Sequence, residues 1–297
     1  MPAEGNDRSM RKTTGQKVFQ VINITIMLII VAAVVFPVLN IISMSVSDTE
    51  AIVTNSVGIF PKGLNTEAYR RLLFDRIFIR SLFNTVGITI ISTVLSLLVI
   101  SMTAYGLSKE FKGQKVINYY FVITMYFSGG LIPTYLLLSK YLAWRNTYWV
   151  YIFPALVNVF YIIVVKSQIK ALPGSILDAA AIDGANDFQI LFRIVLPSIS
   201  PTIAAISMFS ALDKWNMWFP AMLYADNRNY WTAQYFLRAV VFDKIFTSSE
   251  AIAVVETVSP INYQMATIVL IALPVVAIYP FVQKYFVKGI LAGSVKG

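Results

Sequence analysis

Charged residues gather at intervals along this chain and leave long uncharged stretches between them. Residues 18–47, 81–108, 116–139, 146–165 and 257–283 contain no Asp, Glu, Lys or Arg, and residues 194–225 are interrupted only by Asp213 and Lys214. Crossing a hydrocarbon layer takes about 20 mostly apolar helical residues, because every backbone polar group must find its partner inside the segment. The pattern therefore predicts six spanning helices and an all-α integral membrane protein. The first apolar run, residues 18–36, is longer than the h-region of a cleaved leader and no small-residue cleavage site follows it, so it reads as a retained span.

Composition supports lipid as the main solvent. The chain has 297 residues, of which 57% are hydrophobic and 13% charged, with a mean hydropathy of +0.68, against about 25% charged in soluble domains. The net charge of +9 fits flanking cations better than nucleic-acid binding. The absence of Cys and His removes disulfides, thiolate nucleophiles, Cys/His zinc sites and imidazole chemistry together.

Arg8, Arg11, Lys12 and Lys17 precede the first span, Lys109, Lys112 and Lys115 fill the loop between the second and third, and Lys284, Lys288 and Lys296 follow the last. Short basic segments stay on the cytoplasmic side, so both termini are expected there, in a bacterial-type cell (inner) membrane. The loop before the second span also carries Arg70, Arg71, Arg76 and Arg80, but it is longer and the bias weighs less in it. The expected division is a cytoplasmic segment 1–17, a first span 18–47, an extracytoplasmic loop 48–80, a five-helix core 81–283 that includes a cytoplasmic loop 166–197, and a tail 284–297. A second outer loop, from about 226 to 256, opens with Tyr230, Trp231, Tyr235 and Phe236, and both outer loops are long and polar enough to meet a partner.

The loop 166–197 has a readable internal structure. Ser175 followed by Asp178 resembles a capping box. Ala179, Ala180 and Ala181 favour helix and add almost no bulk. Gly184 suits a left-handed helix end, and Asn186 or Asp187 can cap a second short helix carrying Phe188, Leu191 and Phe192 on one face. Pro197 marks a break before the fifth span.

This segment resembles the EAA loop of ABC importer permeases, whose pattern is Glu-Ala-Ala, three residues, Gly, nine residues, Ile-x-Leu-Pro. Here it falls on Asp178, Ala179, Ala180, Gly184, Ile194, Leu196 and Pro197. Six fixed matches at that spacing arise by chance on the order of once in ten thousand such chains. The family's Glu is Asp178, which keeps the carboxylate and shortens its reach. Ile182, Asp183, Gly184 and Ala185 look like the sugar-importer version. Residues 284–297, ending Gly293, Ser294, Val295, Lys296, Gly297, resemble the tail of the maltose-type second permease, which reaches into the ATPase dimer. Residues 126–138 resemble a subgroup that imports oligosaccharides or polysaccharide fragments.

The resemblance implies the ABC importer (MetI-like) permease fold and a coupling role for Ser175, Asp178, Ala179, Ala180, Asp183, Gly184 and Ala185. It also implies as partners a second homologous permease, two ATPase subunits and an extracytoplasmic sugar-binding protein. No cofactor is implied on this chain, since ATP and Mg would sit on the ATPases. The chain has no Gly-x-x-x-x-Gly-Lys-Ser/Thr phosphate loop with which to hydrolyse ATP itself.

For a substrate path, Asp213, Lys214, Trp215, Asn216 and Trp218 lie within the fifth span, with Tyr126 in the third as a further candidate. Intramembrane charges face an interior or a cavity by default, Trp215 and Trp218 at helical spacing would share a face, and aromatic faces suit sugar rings. The alternative is an interfacial Trp anchor with a snorkelling Lys214. Gly129 and Gly130 with Pro133 would break the third span, as in many transport paths, or would serve close helix packing. Asn158 and Tyr161 are weaker candidates. A stand-alone secondary transporter is the competing reading. A membrane enzyme, such as a glycosyltransferase or hydrolase, is disfavoured, because Asp48, Glu50, Asp75 and Asp226 are scattered without a motif.

Overall fold

The computed structural model describes residues 13–242 and 259–294, the last fourteen as backbone alone. Arg8, Arg11 and Lys12, residues 243–258 of the second outer loop, and Val295, Lys296 and Gly297 lie outside the described residues. The described elements are all helical. Three single helices are long and apolar enough to cross a membrane, Thr14–Ser45, Arg76–Ser108 and Pro260–Pro280, and three bent helix pairs bring the number to six when each pair contributes one span.

The bends fall where helix chemistry fails. The third span turns through 101° between Gln114–Tyr126 and Leu131–Tyr141, at Gly130, whose φ of 86° and ψ of 167° belong to a region open in practice to glycine alone. The fourth bends by 44° between Trp149–Ala155 and Val159–Lys170, where Asn158 caps the new helix by accepting from the Tyr161 N–H. The fifth span is Ser200–Tyr224, set at 87° to the segment Asp187–Ser198. It is shorter at its start than the uncharged run beginning at 194, because that run's first residues belong to the preceding loop. The last helix continues through Pro280 to Ser294, so the segment expected as a tail from 284 begins as helix.

Two apolar cores fill the two ends of the bundle. One joins Phe78, Ile88, Tyr151, Tyr224, Trp231, Phe236 and Tyr263; the other joins Ile100, Ala104, Tyr105, Ile162, Val165, Ile169, Leu191 and Val195. Loops sort accordingly. The 48–80 loop, the 142–148 turn and the helix Ala233–Val241 lie at the first end, tied by Asn84 Nδ2 to the Asn229 and Trp231 carbonyls at 2.8 and 3.0 Å. The 109–113 turn and the 171–198 loop lie at the other, joined by Lys109 and Asp187. Of the four aromatic residues that open the 226–256 loop, Trp231, Tyr235 and Phe236 are buried, since an amphipathic helix gains by turning its rings to the core.

The first span stands apart. Its apolar window has none of its residues buried in this chain. It is tethered at its far end, where Ser43, Ser45 and Ser47 are buried and Asn262 Nδ2 donates to the Met44 carbonyl at 2.9 Å. Only a lipid or protein surround makes such a helix stable.

Candidate functional site: a helix-glycine-helix hairpin and the broken fifth span

The 171–198 loop folds into a hairpin. Its first helix is Gly174–Ile182, preceded by Pro173 with no side-chain cap. The capping role expected of Ser175 is therefore wrong: Pro173 already presets the entry φ, and Ser175 sits one residue inside the helix, exposed. The helix ends in a Schellman motif. The Ala185 N–H donates to the Ala180 carbonyl at 3.0 Å and the Gly184 N–H to the Ala181 carbonyl at 3.1 Å, with Gly184 left-handed at φ 82°. Asn186 then caps the second helix, sharing a reciprocal box with Gln189 in which both bonds are 2.9 Å. The chain continues through a π-helical turn, Leu191–Val195, and Leu196–Ser198 before Ile199 breaks it.

One face of the hairpin is seated and the other is bare. Ala180, Ile190, Leu191 and Val195 pack on the ends of the second and fourth spans. Leu191 therefore does not share a face with Phe188 and Phe192, which are exposed; Phe192, four residues on, follows Phe188, while Leu191, at the start of the π-helical turn, is buried in the core. Ile182 is 86% exposed, and Asp178, Ala179, Asp183 and Gly184 surround it in the open. Asp187 is fixed from below by the Lys109 ammonium and by the Tyr105 hydroxyl at 3.2 Å. The Lys109 hydrogen bond holds the Asp187 carboxyl below the usual carboxylate range. On Lys109, burial works against the charge, but the hydrogen bonds to Asp187 and Tyr105 outweigh it and raise its pKa. Nothing in the local sequence marks this three-residue contact.

The fifth-span residues go separate ways. The regular helix Ser200–Trp215 stops at Trp215, so Trp215 and Trp218 do not share a helix face. Asp213 accepts from the Tyr161 hydroxyl at 3.2 Å, which brings Tyr161 into the group. Lys214, buried, donates to the Ala155 carbonyl at 3.1 Å and forms no ion pair with Asp213. Asn216 accepts from Gln234 Nε2 at 3.0 Å. The Arg238 guanidinium lies 3.9 Å from the Trp218 ring centre. Trp215, Thr89 and Thr93 line a cavity of about 400 Å³ between the second, fifth and sixth spans, and the indole N–H and the two hydroxyls are buried without a partner among the described residues. Tyr126, highly exposed at the end of its helix, is joined to this group by no hydrogen bond or ring contact among the described residues. Arg238 and Gln234 escaped the sequence reading because their helix lies in the loop between the fifth and sixth spans, outside the uncharged runs. Among the described residues no cluster of acidic side chains could hold a metal. Gly293 and Ser294 end the last helix as backbone, and the remaining three tail residues lie outside the described residues.

No family model matches the chain. Individual proteins do. The polygalacturonan/rhamnogalacturonan transport system permease protein YtcP of Bacillus subtilis (strain 168) is 38% identical over 267 residues, 89% of this chain and 93% of the relative. Protein LplC of the same organism is 35% identical over 291 residues, 97% of this chain and 98% of the relative. Among solved structures, a bacterial ABC transporter involved in the import of the acidic polysaccharide alginate superposes with a TM-score of 0.87 at 30% identity, over 93% of this chain and 99% of that one. Near-complete coverage at that identity, together with an all-helical bundle bearing the hairpin where the EAA pattern placed it, leads to one assignment: the chain belongs to the family of membrane-spanning permease subunits of sugar ABC importers.

Proposed function

We propose that this chain and a second, related permease together form the membrane passage of an importer for oligosaccharides. An extracytoplasmic binding protein delivers the sugar, and two ATPase subunits seated under the Gly184 hairpin and the C-terminal tail drive the cycle. The chain lies in the cell (inner) membrane with both termini cytoplasmic and hydrolyses no ATP itself; ATP and Mg belong to the ATPases. The single observation that carries this reading is the bare crest of the hairpin. Ile182, 86% exposed, stands with Phe188 at a loop end that is not lipid-facing in a six-span topology, around a helix of small residues that lets another protein come close. Exposed apolar side chains in such a place mark a protein contact. The seated face, locked by Asp187, would pass motion of that contact to the second and fourth spans. The cargo proposed includes uronate-bearing oligosaccharides, since the Bacillus relative is named for polygalacturonan and rhamnogalacturonan and the solved neighbour imports alginate.

Ile182→Glu and Gly184→Leu test the reading in the assembled importer. Neither side chain meets a neighbour within this chain: Ile182 is exposed, and a Cβ on Gly184 touches nothing. Both variants should insert normally and lose ATPase activity stimulated by the loaded binding protein. Unchanged stimulation and uptake in both would refute the coupling role. Sugar accumulation by the purified chain in liposomes without ATPases would favour a secondary transporter.

A further inference from the structure

We infer that the outer end of this chain holds a recognition site for the carboxylate of an acidic sugar, built from Arg238, Trp218, Asn216 and Gln234; the inference rests on the oligosaccharide-import reading. The fifth span loses helical form at residues 216–218, and the outer helix Ala233–Val241 lies against that break. Thr232 fastens the two: its hydroxyl donates to the Met217 carbonyl at 2.7 Å and accepts from the Tyr235 N–H that begins the helix. Gln234 and Arg238 are one turn apart and so present on the same face. Gln234 reaches Asn216, and Arg238 lies over Trp218.

The chemistry of this cluster is specific. The Arg238 guanidinium lies 3.9 Å from the centre of the Trp218 ring and 4.8 Å from that of Phe242. Contact with both rings restrains a planar fork of donors that can meet a carboxylate with two parallel hydrogen bonds. Among the described residues no carboxylate pairs with Arg238, although the side chain is exposed. Asp226, on the same side, is taken by Arg145 at 2.6 Å. The Gln234–Asn216 bond uses one donor and one acceptor, which leaves the Asn216 amide N–H groups and the Gln234 carbonyl for sugar hydroxyls. A fixed cation, a flat indole and two amide groups within one turn make a site for a charged sugar, where a neutral one would have no use for the cation.

Asp213 sets the limit of that site. It lies one turn below Asn216, ionisable and held by the Tyr161 hydroxyl, while the Lys214 ammonium is spent on the Ala155 carbonyl. A second carboxylate there would be repelled, so acid recognition is confined to the outer mouth and only hydroxyls are accepted beside Asp213. A lipid phosphate offers Arg238 the same anionic chemistry, and the test separates the two.

The complete importer is reconstituted with saturating binding protein loaded with an oligogalacturonate trimer or with its fully methyl-esterified form. Arg238→Gln should slow uptake of the acid about tenfold, the scale of one lost charge-assisted hydrogen-bond pair, while ester uptake stays within about twofold and reports that the chain is folded. Arg238→Lys should recover part of the acid rate, and the acid deficit should be the same in zwitterionic and anionic vesicles. An unchanged acid-to-ester ratio overturns the inference and leaves the importer reading standing. Equal loss for both sugars that varies with anionic lipid also overturns it and makes Arg238 a headgroup anchor. Wild-type complex that transports neither sugar and shows no stimulated ATPase activity overturns the importer reading, and the inference with it.

Discussion

Lys109 and Asp187, 78 residues apart in sequence, form an ion pair that ties the turn between the second and third spans to the second helix of the hairpin. Tyr105 completes it from below, its hydroxyl on Asp187 and its ring 4.8 Å from the Lys109 ammonium. The contact anchors the hairpin to the bundle, so displacing the second hairpin helix must either move the adjoining end of the second span or break the pair.

The pair is half-exposed, with side-chain accessibilities of 45% and 65%, so its own contribution is in the range of about 0.2–1 kcal/mol. Lys109→Met should therefore speed amide exchange across the hairpin by no more than about fivefold, and combining it with Asp187→Asn should add little, since both remove one interaction. The pH dependence has a definite sign. Asp187 sits below its ordinary 3.8, so its contribution is complete above that value and fades as pH falls through the lower folded value. Lys109 sits above its ordinary 10.5, so its contribution is complete below that value and fades as pH rises past it. Hairpin protection from this pair should thus be flat between about pH 5 and 9; a titration inside that window would show that another group holds the hairpin.

At Gly184 the cost of a side chain is conformational alone, because φ is 82° and a Cβ would meet nothing. Gly184→Ala should weaken the hairpin by about 1–2 kcal/mol, and Gly184→Asn by clearly less, because Asn tolerates the left-handed region. Amide exchange of residues 180–186 in the two variants measures the difference. Equal effects would mean that the turn relaxes to another form.

Much of this fold is legible in the sequence because lipid imposes a coarse, strong pattern. The five uncharged runs and the sixth broken only by Asp213 and Lys214, the break beside Gly130 and the alanine helix ended by Gly184 each follow from one local rule. The failures share a cause. Ser175 looks like a cap only if the helix start is unknown, and Pro173 starts it earlier. Trp215 and Trp218 share a face only if the helix continues, and it ends between them. Arg238 over Trp218 and Lys109 with Asp187 join residues from different elements, and no spacing rule reaches across the fold.

Asn84, buried, is the knot of the end of the bundle formed around Tyr151 and Trp231. Its amide donates to the Asn229 and Trp231 carbonyls, and its carbonyl accepts from the Tyr148 hydroxyl at 2.8 Å. Truncation leaves three polar groups without this partner, at about 1 kcal/mol each. Asn84→Ala should destabilise the detergent-solubilised importer by about 3 kcal/mol, read as a lower thermal midpoint. Asn84→Asp should do worse, because a carboxylate would face two carbonyl oxygens. A loss under about 1 kcal/mol would mean that water replaces the amide.

The cavity beside Trp215 predicts the opposite sign. Thr93 is buried and its hydroxyl has no partner among the described residues. Replacing such a group by an apolar one of equal shape removes a desolvation cost. Thr93→Val should leave the thermal midpoint unchanged or raise it; a drop equivalent to more than about 1 kcal/mol would show that the hydroxyl is bonded in the working protein.

Gly129 and Gly130 are neighbours with different burdens, and they separate geometry from packing. Gly130 holds the 101° bend at φ 86° and ψ 167°, and its carbonyl accepts from the Thr134 N–H and hydroxyl at 3.3 and 2.8 Å, starting the next helix. Gly129 has no positive φ, and a Cβ there meets nothing. If the bend is set by backbone conformation, Gly130→Ala costs about 1–3 kcal/mol and lowers uptake, while Gly129→Ala stays within about 0.5 kcal/mol. If small size for helix packing is what matters, both alanines should hurt alike. Thermal midpoints and uptake rates of the two variants, measured side by side, decide between them, and the room at both positions, open space at Gly129 and an ordinary 3.8 Å contact with Pro133 at Gly130, favours the first.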